Sequence, residues 1–355
     1  MSDVPVLADS VRITGDAVEI LDRRVYPFEV RWVRCATSEK VAVAIEQMVT
    51  QSSGPLFAAT AGLVLAAREA RHEPPEAAAA YLRGAGARLV ATRPTNNHIR
   101  DAVQGVLEAV DEEWSSGEEL AEAVTEAARA HDAAYRARSA TLGRHAAGLL
   151  GDGARVLTHC WADAFLVATV LAAQESGKQL EFVCTETRPY LQGARLTAAT
   201  LVEMGYRPTL ITDGMVATAL AEGLADVALT AADRVTLDGH VVNKVGTLGV
   251  ALAANAFGVP YHALIDAPDP QARTIEDVVI ERRDGDEVLH VLGRRTAAEG
   301  VTGYYPAFDA TPPRLVTSIV TEHGVYEPSR VADHFTTDYP PAVPLYPAPD
   351  DPKES

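Results

Sequence analysis

Alternation of apolar and polar positions opens the chain. The stretch VRITGDAVEILDRRVYPFEVRWVRC, with a turn at Gly15 and Asp16, reads as a β-hairpin or small meander, because residues two apart share one face of a strand. From Thr37 to about Arg71 the period lengthens to that of a helix. It breaks at SSGP, Ser52 to Pro55, which predicts two helices joined by a turn. A third helix is expected from Ala77 to Leu89, opened by the prolines of EPPEA; a fourth follows TRPTNN, and a long one runs from Ser115 to Leu150. After Asp152 and Gly153 the pattern changes. ARVLTHC is a short apolar run followed by the helical WADAFLVATVLAAQESG, and LEFVCTETRP, PTLITD and ADVALTAADR repeat the strand, loop and helix order. Such units in succession predict an α/β fold. We expect a Rossmann-like, mainly parallel sheet in a C-terminal domain (151–339), a small, mostly helical N-terminal domain with a short β-meander (1–150), and a proline-rich acidic tail (340–355).

In an open parallel sheet, ligand groups collect at the carboxyl ends of the strands. VALTAADRVTLDGHVVNKVGTLGVALAA, Val227 to Ala254, therefore draws attention: an apolar strand, a polar loop with Asp233, Arg234, Asn243 and Lys244, then a helix start. The chain has only four lysines, Lys40, Lys178, Lys244 and Lys353, and Lys244 alone lies in such a setting. Cys160 ends a strand just before a helix, where backbone N–H groups and the helix dipole would lower a thiol pKa. The alternative for any free cysteine is a small buried hydrophobe, and Cys184 and Cys35 fit that better. Asp233, after two alanines, is expected to be enclosed, either as a proton-holding carboxyl or as half of an ion pair with Arg234.

Arg93, Arg188, Gln192, Arg195, Asn243 and Lys244 are donors placed in loops or at helix starts, the combination that holds a phosphate when gathered at one point. His98, His159, His240 and His262 lack metal-site spacing, and no metal is expected from them. No GxGxxG follows the first strand, so nothing supports a dinucleotide. A formal charge of −18 opposes non-specific attraction to nucleic acid or to an anionic membrane, and no apolar run reaches membrane-spanning length. Three cysteines without close pairs suit a reducing cytoplasm.

TETRPYLQGARLTAATLVEMG, LITDGMVATAL, AADRVTLDGHVVNKVGT and YYPAFDATPPRLVTSIVTEHGV resemble the signatures of the methylthioribose-1-phosphate isomerase family. Its superfamily includes ribose-1,5-bisphosphate isomerase and the regulatory subunits of the exchange factor for translation initiation factor two. The likeness runs from about Leu21 to Pro328. It implies an aldose–ketose isomerase acting on a sugar phosphate, with Cys160 of LTHC and Asp233 of AADR as the catalytic pair. It also implies phosphate contacts from Arg93, Gln192, Asn243 and Lys244, a homodimer, and no metal or organic cofactor.

Several positions depart from the family pattern. Where the family has VRGAPAIG this chain has VTQSSGPLF, with Thr50 in place of a phosphate-binding arginine. Losing one charge-assisted contact costs about 1.5–3 kcal/mol unless another donor replaces it, and Arg83 and Arg100 are the replacements considered. Trp161, Ala162 and Asp163 follow the cysteine, His240 closes the DGH triplet, and Tyr305 precedes PAFD. Two other functions stay open at this point: a non-catalytic regulatory homologue that binds a sugar phosphate or nucleotide, and isomerisation of ribose 1,5-bisphosphate.

Overall fold

The computed structural model describes residues 5–93, 97–111 and 113–336, so the tail expected from 340 onward lies outside the described residues. The chain forms two compact units that divide between Ala137 and Arg138. In the front unit β1 (Val11–Thr14), β2 (Ala17–Leu21) and β3 (Trp32–Cys35) form an antiparallel sheet in that order. The turn at Gly15 sets the register, pairing Thr14 with Ala17 and Val18 with Cys35 across the two ladders.

Helices α1 (Ser38–Glu46), α2 (Gly54–Glu69), α3 (Pro75–Ala91) and α4 (Asn97–Ala109) follow. Thr37 caps α1, its hydroxyl accepting the Lys40 N–H at 3.2 Å, which satisfies one of the donors a helix start leaves unpaired. Apart from its last two residues, α2 is buried all round, and its sequence is apolar all round to match. Val18 and Ile20 of β2 share a core with Val41 and Ile45 of α1, Leu63 of α2, Leu89 of α3 and Ile99 of α4. The long helix α5 (Gly117–Leu149) carries the division between the units.

The second unit is an α/β domain. Its elements are β4 (Arg155–Thr158), α6 (Asp163–Glu175), β5 (Glu181–Thr185), α7 (Ala198–Glu203), β6 (Thr209–Ile211), α8 (Val216–Ala221) and β7 (Val227–Ala231). Then come β8 (Arg234–Val235), β9 (Val241–Lys244), α9 (Thr247–Ala256), β10 (Tyr261–Leu264), β11 (His290–Val291), β12 (Arg294–Arg295), β13 (Phe308–Thr311), β14 (Ser318–Thr321) and β15 (Gly324–Tyr326). A seven-stranded sheet has the order β15-β14-β10-β7-β4-β5-β6, parallel except for the edge strand β15.

From β4 the chain winds outward through β5 and β6, then returns to place β7, β10 and β14 on the other side. The direction of winding reverses between β4 and β7, the place where open α/β sheets gather ligand groups at the strands' carboxyl ends. A second, three-stranded sheet, β13-β9-β8, places Lys244 opposite Phe308 and Asn243 opposite Asp309. Asn243 and Lys244 thus lie on a strand, not in the loop expected from their polarity. Pairing with β13 is a long-range contact, and no local pattern announces it.

Candidate active site

The two strands at the switch point supply the two residues singled out for chemistry. Cys160 follows the end of β4 by two residues, and Asp233 follows the end of β7 by two. Lys244, at the end of β9, is within electrostatic reach of both. Cys160 is half-buried and holds φ +65°, a conformation that a side chain with a Cβ rarely adopts. Thr187 at +62°, Leu191 at +65° and Asp163 at +46° share this left-handed conformation around it. Clustered backbone strain of this kind persists only where surrounding contacts enforce it.

Those contacts form a directed chain. The buried imidazole of His159 lies 3.0 Å from the Val245 carbonyl through Nε2 and 2.7 Å from the Thr185 hydroxyl through Nδ1. A carbonyl only accepts, so Nε2 carries the proton; burial lowers the imidazole pKa and keeps the ring neutral. Thr185 then donates to Nδ1, Thr187 donates to Thr185 across 3.2 Å, and the Thr187 oxygen accepts the Cys160 N–H at 2.9 Å. The Cys160 carbonyl in turn accepts from the Thr197 hydroxyl. Asp213 holds the other side of the turn, taking the N–H groups of Thr187 and Arg188 at 2.7 Å each. The sequence reading did not single out Thr185, Thr187, Thr197 or Asp213; small hydroxyl residues at the carboxyl end of β5 were the available signal.

Electrostatics correct two expectations. Burial pushes the Cys160 thiol up to about 11, and Asp233 and Asp213 add to the rise; Lys244 and the Trp161 N–H oppose it without reversing it. The helix-start effect expected to lower this pKa is outweighed by desolvation. Asp233 is exposed, because it sits on the turn between β7 and β8 and leaves the buried position to Ala232. Its N–H donates to Val242 at 3.0 Å. Arg234 pairs instead with buried Asp269, Nε to Oδ2, at 3.1 Å.

Of the expected phosphate donors, Lys244 is buried, its ammonium 2.9 Å from the Ala307 carbonyl and 4.4 Å from the centre of the Phe308 ring. Burial lowers its pKa, while Cys160 and Asp233 favour the charged form. The Asn243 amide donates to Thr247 at 2.9 Å. Gln192 is buried at the start of a π-helical turn, Gly193–Thr197, and its Oε1 accepts no hydrogen bond. A Cβ at Gly193 would stand 1.9 Å from the Thr185 carbonyl oxygen, so only glycine lets this turn close on β5. In the same turn the Arg195 guanidinium lies 4.6 Å from the centre of the Tyr190 ring.

Arg188 is spent on structure, donating to the carbonyls of Pro189, Val288 and His290. Arg93 belongs to the front unit, where Nη2 donates to Ile45 at 3.1 Å and touches the Met48 sulfur. Cys184 is buried and pushed up to about 12, and Cys35 is buried and raised. Both are thiols without reactive settings.

A family model described as the initiation factor 2 subunit family matches residues 51–328. The chain belongs to this family. Within it, the chain is 37% identical over 334 residues to methylthioribose-1-phosphate isomerase of Pelotomaculum thermopropionicum, covering 91% of this chain and 92% of that one. The solved structure of 5-methylthioribose 1-phosphate isomerase from Pyrococcus horikoshii OT3 superposes with a TM-score of 0.83 at 29% identity, over 92% and 94% of the two chains. Translation initiation factor eIF-2B, subunit delta, from A. fulgidus gives 0.82 at 32% identity, over 92% and 99%.

Thr50, one residue before the matched span, is buried with its hydroxyl unsatisfied against Gly54. Arg83 is exposed, and the Arg100 Nη1 donates to Asn97 at 3.1 Å. Arg23 reaches that segment. It is fully buried, its N–H donates to Val49 at 2.9 Å, and its guanidinium reaches the Gln51 carbonyl at 2.5 Å and the Ser10 hydroxyl at 2.8 Å. Trp161, Asp163 and Tyr305 are buried too.

Proposed function

We propose that the chain is an aldose–ketose isomerase converting a ribose 1-phosphate, methylthioribose 1-phosphate first among candidates, into the corresponding ribulose 1-phosphate. The observation that carries the reading is the placement of Cys160 and Asp233 at the carboxyl ends of adjacent strands β4 and β7, within electrostatic reach of Lys244, in a chain 37% identical to an isomerase of that name.

A sugar phosphorylated on its anomeric oxygen does not open as a free hemiacetal does. The ring oxygen needs a proton as its bond to C1 breaks, a hydrogen moves from C2 to C1, and the C2 hydroxyl gives up a proton as the ketone forms. No atom is gained or lost. In this reading Asp233 takes the Cys160 thiol proton and delivers it to the ring oxygen, the Cys160 thiolate carries the C2 hydrogen to C1 as a proton, and the Asp233 carboxylate takes the C2 hydroxyl proton and returns it to Cys160. The thiol rests protonated, so its relay role begins only when its own proton is passed on, a step that the nearby Lys244 charge favours. Gln192, Asn243 and Lys244 provide the phosphate donors of this unit. The reading further takes the active form to be a homodimer working in the cytoplasm.

Proton nuclear magnetic resonance of the purified protein with methylthioribose 1-phosphate, ribose 1-phosphate, 5-deoxyribose 1-phosphate and ribose 1,5-bisphosphate tests the proposal. Loss of the anomeric signal and appearance of a ketose are expected, and the panel ranks the C5 group. Tight binding without conversion of any of the four would overturn the reading in favour of a regulatory role.

A further inference from the structure

The strand β14, the turn after it and the last described segment bring together groups that the site above does not use. Glu322 and His323 form the β14–β15 turn, with Thr321 paired to Gly324, and His334 returns to it from the 3-10 segment Pro328–Phe335. One ligand atom from each of Glu322, His323 and His334 lies within 4.8 Å of the others. The two imidazoles are stacked, with ring centres 4.2 Å apart and planes 19° from parallel. We propose that Glu322, His323 and His334 bind one divalent transition-metal ion of the zinc type.

Three observations support the assignment. First, the outer nitrogens are already oriented. His323 Nδ1 lies 3.1 Å from the His334 carbonyl, which only accepts, so Nδ1 carries the proton and Nε2 the lone pair, 3.9 Å from Glu322 Oε1. His334 Nδ1 lies 2.9 Å from the Thr321 hydroxyl, which can accept its proton and turn the Nε2 lone pair toward the cluster. Ligating histidines commonly have the second ring nitrogen tied in this way, which fixes tautomer and ring orientation.

Second, the local charge suits a cation. Glu322 and Asp266 are both within electrostatic reach, and Arg138 lies 3.6 Å from the other Glu322 oxygen, Oε2.

Third, the contraction required is small. A tetrahedral zinc ion with bonds of about 2.1 Å sets its ligand atoms roughly 3.4 Å apart, so the present spacing closes by rotation of the partly exposed Glu322 side chain and a tilt of the His323 ring about its Nδ1–H bond, out of its stack on His334. Water completes the coordination. The ion would fasten Pro328–Phe335 to the end of the central sheet. Chain spacing alone hides the site, because adjacent Glu322 and His323 and the distant His334 meet only through the β14–β15 turn.

The full chain, free of added histidine tags and treated with a chelator, is titrated with zinc by calorimetry and with cobalt(II) by visible absorption. One zinc ion per chain is expected, with cobalt d–d bands and no thiolate-to-cobalt charge-transfer band. His323→Asn, a change at a partly exposed position, is expected to weaken binding by at least about tenfold while circular dichroism stays native, and His334→Gln to do the same. His72→Asn, at an exposed position elsewhere, leaves binding unchanged. Absence of binding, affinity unaltered in His323→Asn, or a thiolate band placing the ion on cysteine would each overturn the proposal.

Discussion

Replacing Thr187 with valine removes one oxygen from the site and changes its shape very little. Thr187 is fully buried, and its hydroxyl accepts the Cys160 N–H at 2.9 Å and bonds Thr185 at 3.2 Å. Both residues are β-branched, so the strain of φ +62° is common to both and cancels, and no cavity opens. What remains is an orphaned buried N–H on Cys160, costing about 1–3 kcal/mol, and a weakened Thr185–His159 link worth roughly 0.5–1 kcal/mol. The sum, about 1.5–4 kcal/mol, lowers the urea unfolding free energy followed by circular dichroism. Turnover should fall as well, because the bond that holds Cys160 in its left-handed conformation is gone. Thr187→Ser keeps the oxygen and should recover most of both losses. Unchanged stability and unchanged turnover in the valine variant would refute the claim that this chain of hydroxyls fixes the cysteine.

Other consequences are equally accessible. Gly246 sits at φ +109°, and a Cβ there would stand 2.7 Å from the doubly bonded His159 ring, so Gly246→Ala is expected to cost about 2–5 kcal/mol in the same unfolding assay. Half-buried Asp309 accepts the N–H groups of Gly246 and Leu248, yet desolvation raises it from 3.8 to about 6. A raised folded-state pKa means that the carboxylate's burial cost is fully present above pH 6 and is relieved as pH falls towards 3.8. Between pH 7 and 5 the wild type should therefore gain about 1.4 kcal/mol relative to Asp309→Asn, measured by parallel urea titrations. With the Cys160 thiol at about 11, its alkylation by iodoacetamide, followed by peptide mass, should be slow at pH 7. The rate should rise roughly tenfold per pH unit up to that value; a plateau near pH 8 would show that the thiol is not desolvated as described.

The alternation of strand and helix was legible because it is local. ARVLTHC and ADVALTAADR read as strands with Cys160 and Asp233 beyond their ends, and β4 and β7 are those strands. That they are neighbours was not legible, since strand order depends on crossovers whose residues carry no mark of it. For the same reason β9 read as a loop: its ladder partner β13 lies more than sixty residues downstream. The environment of the site was the least legible part. Helix-start geometry predicted a lowered thiol pKa and two flanking alanines predicted an enclosed Asp233, whereas burial by distant elements raises the one and the β7–β8 turn exposes the other. Arg23 shows a similar blindness. Nothing in LDRR distinguishes it from Arg24, yet Arg23 is fully buried against the 49–54 segment and Arg24 pairs with Asp22 at 2.8 Å.

The most direct test of the central claim is steady-state turnover of methylthioribose 1-phosphate by Cys160→Ser and Asp233→Asn beside the wild type, with circular dichroism recorded on all three. The account predicts a wild-type protein that forms the ketose, and two folded variants in which kcat falls by at least about 10²-fold, the scale of a lost acid or base. Wild-type-like turnover in either folded variant would contradict it.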